Sequence, residues 1–189
     1  MTARLQPTPG QTVGPFFHYA LPYDGDSELV PAGSPGSIRF HGHVVDGAGA
    51  PVPDALVEIW QADGSGRIVR QPGSLRRDGW TFTGWGRAAT DNAGHYSFST
   101  IAPGAVGGSA PFFALTVFAR GLLDRLFTRA YLPGDEAALA ADPFLNSLDP
   151  DRRATLIAAV DAQGHTFDVR LQGEGETVFL TYPGHGPAH

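Results

Sequence analysis

Residues 90–104 read TDNAGHYSFSTIAPG, and the fold turns on how they are read. Asp91-Asn92-Ala93-Gly94 has the composition of a tight turn, here expected to close a hairpin. HYSFSTI then alternates, so successive side chains point to opposite faces and His95 lies opposite Tyr96. Pro103-Gly104 stops the strand. A short strand between breakers is the unit of an all-β domain.

The same grammar extends in both directions. SIRFHGHVVD (37–46) places Ile38, Phe40, Gly42 and Val44 on one face and Arg39, His41 and His43 on the other. DGAGAPV is a turn, ALVEIWQAD (55–63) a second strand, and residues 64–79 a loop. WTFTGWGRAATD (80–91), FFALTVFARG (112–121), RLFTRAYL (125–132), HTFDVRLQG (165–173) and ETVFLTY (176–182) bring the expected total to roughly nine strands. One segment departs from the pattern. GDEAALAADPFLNSLDPDRRATLIAAV (134–160) is rich in Ala and Leu with Asp caps, which predicts one or two short helices in a surface excursion between strands. Residues 1–36, rich in Pro, Gly and aromatic side chains without a period, read as an N-terminal arm, and 37–189 as the sandwich domain. The predicted architecture is an all-β sandwich with an extended arm and a short helical insertion.

Composition narrows the chemistry. The 189 residues suit one domain with a substantial core. The chain has no cysteine, which removes disulfides, thiolate metal sites and a thiol nucleophile. A net charge of -6 with no Lys/Arg block argues against nucleic acid and anionic membrane as partners. Only 17% of residues are charged, and so a partner is expected to cover part of the surface. There is no signal-peptide pattern and no run approaching the ~18 apolar residues of a membrane span, so a cytoplasmic protein is expected.

His41 and His43 stand at i, i+2, a spacing at which two imidazoles on one strand face reach the same ion. The other reading is two histidines on a solvated face, with Arg39 beside them and no third ligand nearby in sequence. The glycines of DGSGR and GWGRAATDNAG do not lie between a strand and a helix, so they do not make a phosphate loop. No nucleophile elbow is present.

Read together with DGAGAPVPDALVEIWQAD (46–63), the stretch at 90–104 resembles the core of the intradiol aromatic-ring dioxygenases, β-sandwich enzymes that cleave catechols with O2 at a non-haem ferric iron. QTVGPFF (11–17), APFFALTVFARG (110–121), TRAYL (128–132) and QGEGETVF (172–179) carry the resemblance over almost the whole chain. DGAGAPVPDALVEIW alone is also seen in transthyretin-like binding modules, the competing reading. In the dioxygenases two tyrosines and two histidines hold the iron. The resemblance places Ile68 (in GSGRIVR), Val106 (in PGAV), Phe112 and Ala114 at those four positions, and none of these side chains offers a lone pair. APFFALTVF therefore reads as a two-sided core strand that replaces a polar pocket by packed hydrocarbon.

The resemblance thus implies a non-catalytic alpha subunit within a large hetero-oligomer, with no metal of its own and Fe(III) in an iron-bearing beta subunit. The shared site would bind protocatechuate, a benzoate with two ring hydroxyls, together with O2, and yield 3-carboxy-cis,cis-muconate. By the same resemblance, Thr12, Gly14, Pro15 and Arg129 line the partner's substrate pocket. Arg129 is a chemically sound choice, since a guanidinium offers paired donors to a carboxylate. A surface salt bridge to Asp124 or Asp135 remains its alternative, and turn chemistry that of Gly14 and Pro15.

Overall fold

The computed structural model describes residues 20–71 and 77–182. Two sheets face each other. One contains β1 (Ser37–Val45), β4 (His95–Ile101), β7 (Ala159–Asp161), β8 (Gly164–Thr166) and β9 (Val169–Arg170). The other contains β2 (Leu56–Trp60), β3 (Trp85–Ala89), β5 (Phe112–Phe118) and β6 (Leu126–Tyr131). The first runs β4-β1-β8-β7, with β9 also on β1, and the second β3-β2-β5-β6. This is the expected β-sandwich.

Alternation builds its core. Phe40 and Val44 of β1 and Tyr96 and Phe98 of β4 point inward, against Val57 and Ile59 of β2 and Phe113, Leu115 and Val117 of β5. The Phe40 and Phe113 rings meet across the sandwich with centroids 4.4 Å apart. Leu29, from the segment preceding β1, joins this core, and its N–H donates to Ser99 O at 2.8 Å.

Three expectations change. The Asp91–Gly94 turn forms, with Gly94 N–H donating to Asp91 O at 2.9 Å and the Asp91 carboxylate accepting from Ala93 and His95 N–H. It does not close a hairpin, because β3 and β4 lie in different sheets and β4 pairs with β1. At a φ of +75° Gly94 packs where an added Cβ would meet Val44 O at 2.7 Å, so the turn is a corner pressed against β1. The stretch 176–182 is not a ladder strand. It makes one bridge, Leu180 to Phe127; Glu176 and Thr177 N–H donate to the carbonyls of Gly173 and Arg170, while Thr177 Oγ1 accepts from Arg170 N–H and Val178 N–H donates to Thr155 Oγ1. Residues 159 and 160, the end of the segment read as helical, begin β7.

The helical segment is more than a surface excursion. Its helices, Glu136–Ala141 and Pro150–Ala154, flank a 3-10 turn at Leu145–Ser147. Asp135 caps the first by accepting from Ala138 N–H. Leu139, Leu145 and Leu156 bury a second apolar cluster with Ala110, Tyr131 and Val178, against the outer side of β5 and β6. Asp142, fully buried, holds it there by accepting from Ala110, Phe144 and Leu145 N–H, each at 2.9 Å.

Candidate functional site

The outer face of the β2–β5–β6 sheet carries the candidate site. Trp60, Ala114 and Arg129 stand in one cross-strand row, with Phe112 opposite Tyr131 in the next. Beyond β2 the chain is pinned by Asp63. Its carboxylate accepts from Ser65 N–H, Ser65 Oγ and Arg67 N–H, and it is lowered to about 2, first by the Ser65 hydroxyl and then by the Arg67 N–H. Asp63 O also accepts from Gly104 N–H at 2.9 Å, which ties this turn to the segment after β4. These bonds bring Ile68 and Val106 over the sheet, facing Phe112 and Ala114.

The four residues that the resemblance singled out therefore converge. Ile68, Val106, Phe112 and Ala114 line one hollow of about 170 Å³ together with Trp60, Gln61, Ala62 and Val69. Among these lining residues Trp60 carries only an indole N–H donor, and Gln61 is the one with a side-chain acceptor; that amide is engaged, donating to Ile101 O and to Ala62 O and accepting from the Thr100 hydroxyl. The residues do not fit a ferric ion, since this wall presents no anionic or imidazole donor.

The hollow corrects the expectation of packed core. Phe113, Leu115 and Val117 are buried, but Phe112 and Ala114 are only half-buried, Ile68 is 60% exposed and Trp60 is 52% exposed. The reason is geometric. The turns carrying Ile68 and Val106 are fixed by their own hydrogen bonds, and Val and Ala are too short to close the gap they leave.

Arg129 lies at the edge of this row. Its guanidinium stacks over the Phe112 ring at 4.3 Å and faces Phe144 at 5.4 Å, and it donates to the Tyr131 hydroxyl at 3.1 Å. Burial raises the Tyr131 phenol, with Arg129 opposing the shift. Two aromatic faces and one phenol therefore set the direction of the guanidinium. Thr12, Gly14 and Pro15 lie outside the described residues.

On the other sheet, the outer face of β1 differs from the solvated face considered above. His41 is only 5% exposed. His95 joins it from β4, because the β1–β4 register sets His43 opposite His95. Sequence reasoning missed His95 as a neighbour of the histidine pair, because only the strand register reveals it.

Comparison with known proteins follows the same lines. The sequence pattern of the family described as Dioxygenase matches residues 12–111. The chain is 41% identical to the protocatechuate 3,4-dioxygenase alpha chain of Burkholderia cepacia, over 93% of this chain and 98% of that one. It is 34% identical to the protocatechuate 3,4-dioxygenase beta chain of the same organism, over 83% of this chain and 74% of that one. Among solved structures, it resembles the dioxygenase domain of a dioxygenase carbohydrate-binding protein fusion from the cellulolytic bacterium Streptomyces sp. SirexAA-E. The TM-score is 0.55 and the identity 27%, over 89% of this chain and 99% of that one.

Proposed function

The chain belongs to the intradiol dioxygenase family, and on that premise we propose that it is the metal-free alpha chain of a heteromeric protocatechuate 3,4-dioxygenase. One observation carries this reading. Ile68, Val106, Phe112 and Ala114, which the resemblance sets at the family's iron-holding positions, line a single hollow here, and every one of them is hydrocarbon. A fold preserved around a site emptied of donors suits a subunit that assembles with a catalytic homologue. Ring cleavage belongs to the iron-bearing beta chain.

This chain's contribution is a wall of the shared pocket. Thr12, Gly14 and Pro15 supply backbone and a hydroxyl close to the substrate. Arg129 supplies the cation. Its guanidinium is already oriented by Phe112, Phe144 and Tyr131, so little side-chain entropy is lost when it meets the carboxylate of protocatechuate. Such a charged hydrogen bond contributes about 1.5–3 kcal/mol.

Two measurements test the reading. Purified alone, the chain should carry no iron and show no dioxygenase turnover, whereas the complex with the beta chain should be coloured and active. Tyrosinate-to-iron charge-transfer colour in the isolated chain would overturn it. In the complex, Arg129→Ala should lower kcat/KM for protocatechuate about ten- to a hundredfold with the iron content unchanged. Unaltered kinetics would remove Arg129 from the pocket.

A further inference from the structure

On the sheet opposite the hollow, we infer that His41, His95 and His43 form a binding site for one Zn2+ ion. The rings converge from two strands. His43 and His95 have centroids 5.1 Å apart, and His41 and His95 5.6 Å. His41 Nδ1 and His95 Nε2 are 3.4 Å apart. That is long for a hydrogen bond, yet it matches the separation of about 3.3–3.4 Å between two nitrogens that each lie about 2.0–2.1 Å from a tetrahedral zinc ion.

The outer contacts fix the tautomers a metal requires. His41 Nε2 lies 3.3 Å from both carboxylate oxygens of Asp161, a contact that favours the tautomer with the proton on Nε2 and the lone pair on Nδ1. His43 Nδ1 lies 3.3 Å from Asp168 Oδ1, which leaves its Nε2 lone pair available. Asp168 is itself held by the His43 backbone N–H at 2.8 Å. A carboxylate behind a ligating imidazole, present here for His41 and His43, is a usual outer arrangement of zinc histidines. Burial, followed by the nearby His43 and Arg39, lowers His95 and favours the neutral ring.

Two donors are in place and the third is recruited. Among the described residues no set of three His, Cys, Asp or Glu donors already gathers round one point. The His43 side chain is 46% exposed and has room to swing its Nε2 onto an ion held by the other two, while water supplies the fourth ligand. Arg39 opposes a cation here, but its guanidinium is engaged by Ser97 and Gln163. Asp91, Asp161 and Asp168 all act electrostatically on this cluster and outnumber it. Gly42, between the two β1 histidines, adds no side chain to the inner face, where the Phe167 backbone packs against it.

The test is titration of ZnCl2 into the full chain, followed by heat, with Co2+ as a spectroscopic substitute. One saturable site per chain is expected, with the visible bands of tetrahedral Co2+. His95→Gln, a change at a partly exposed position, should weaken binding at least tenfold, and Asp161→Asn by about tenfold. Removing the terminal His185 and His189 should leave affinity unchanged. Absence of saturable binding, affinity unaltered in His95→Gln, or binding lost with His185 and His189 would each overturn the inference.

Discussion

Two pairs of residues in this molecule share one backbone geometry and differ in everything else. Phe112 and Ala114 stand at i, i+2 on the outer face of β5, and His41 and His43 stand at i, i+2 on the outer face of β1. The first pair faces a hollow without a donor. The second sits among imidazoles and carboxylates. Period-two alternation supplies the aim of a ligand pair, but the residues chosen decide whether anything is held. One sandwich thus carries a hydrocarbon-lined hollow on one sheet and gathered imidazoles on the other.

The largest effect that sharpens this contrast concerns the two faces of β5. Phe113→Ala should cost about 3–5 kcal/mol in denaturant unfolding, because Phe113 is fully buried against Phe40. Phe112→Ala, on the half-open hollow, should cost below about 2 kcal/mol. Equal costs would mean that the hollow is core and would break the comparison. Asp142→Ala should come next, at about 2–3 kcal/mol, because three backbone N–H groups at the entry to β5 and in the helical segment lose a charged acceptor.

The smallest effect lies on the imidazole-bearing sheet and depends on pH. Burial lowers His165, and its Nδ1 is buried without a partner among the described residues. The unfolded ring protonates first, near its ordinary value of about 6.5, so this group's contribution is complete above that pH. It is lost as pH falls through the lower folded value. His165→Leu should therefore flatten the loss of thermal stability between about pH 6.5 and 5 while leaving Tm near neutral pH unchanged or slightly raised. His95, lowered in the same direction, keeps part of the slope in the variant. A slope identical to that of the parent would assign the acid sensitivity elsewhere.

Local pattern carried much of this fold. The alternation of 37–46 identified the inward face of β1 correctly, since Phe40 and Val44 are fully buried. The Asp-capped Ala/Leu stretch did become helical. What failed was long-range. A turn such as Asp91–Gly94 has the same chemistry whether its strands pair or part into two sheets, and only the pairing of β4 with β1 decides. ETVFLTY has strand composition, yet its polar groups are divided between scattered carbonyls of Gly173, Arg170 and Phe127 and side chains such as Thr155, with no continuous ladder. For the site, motif position alone brought Ile68, Val106, Phe112 and Ala114 together. That they would leave open space depended on turns held by Asp63, which residue type does not disclose. His95 stayed hidden for the same reason: the β1–β4 register, not nearness in the chain, sets it beside His43.

Gly42, between the two histidines of β1, has a consequence for biosynthesis. A Cβ there would fall 1.9 Å from the carbonyl oxygen of Phe167, the oxygen that also accepts the buried Tyr96 hydroxyl at 2.5 Å. The closing piece of the inner wall is thus supplied by residues translated late. A nascent chain halted before Phe167 lacks both the carbonyl that accepts the Tyr96 hydroxyl and the ring that packs beside Phe40.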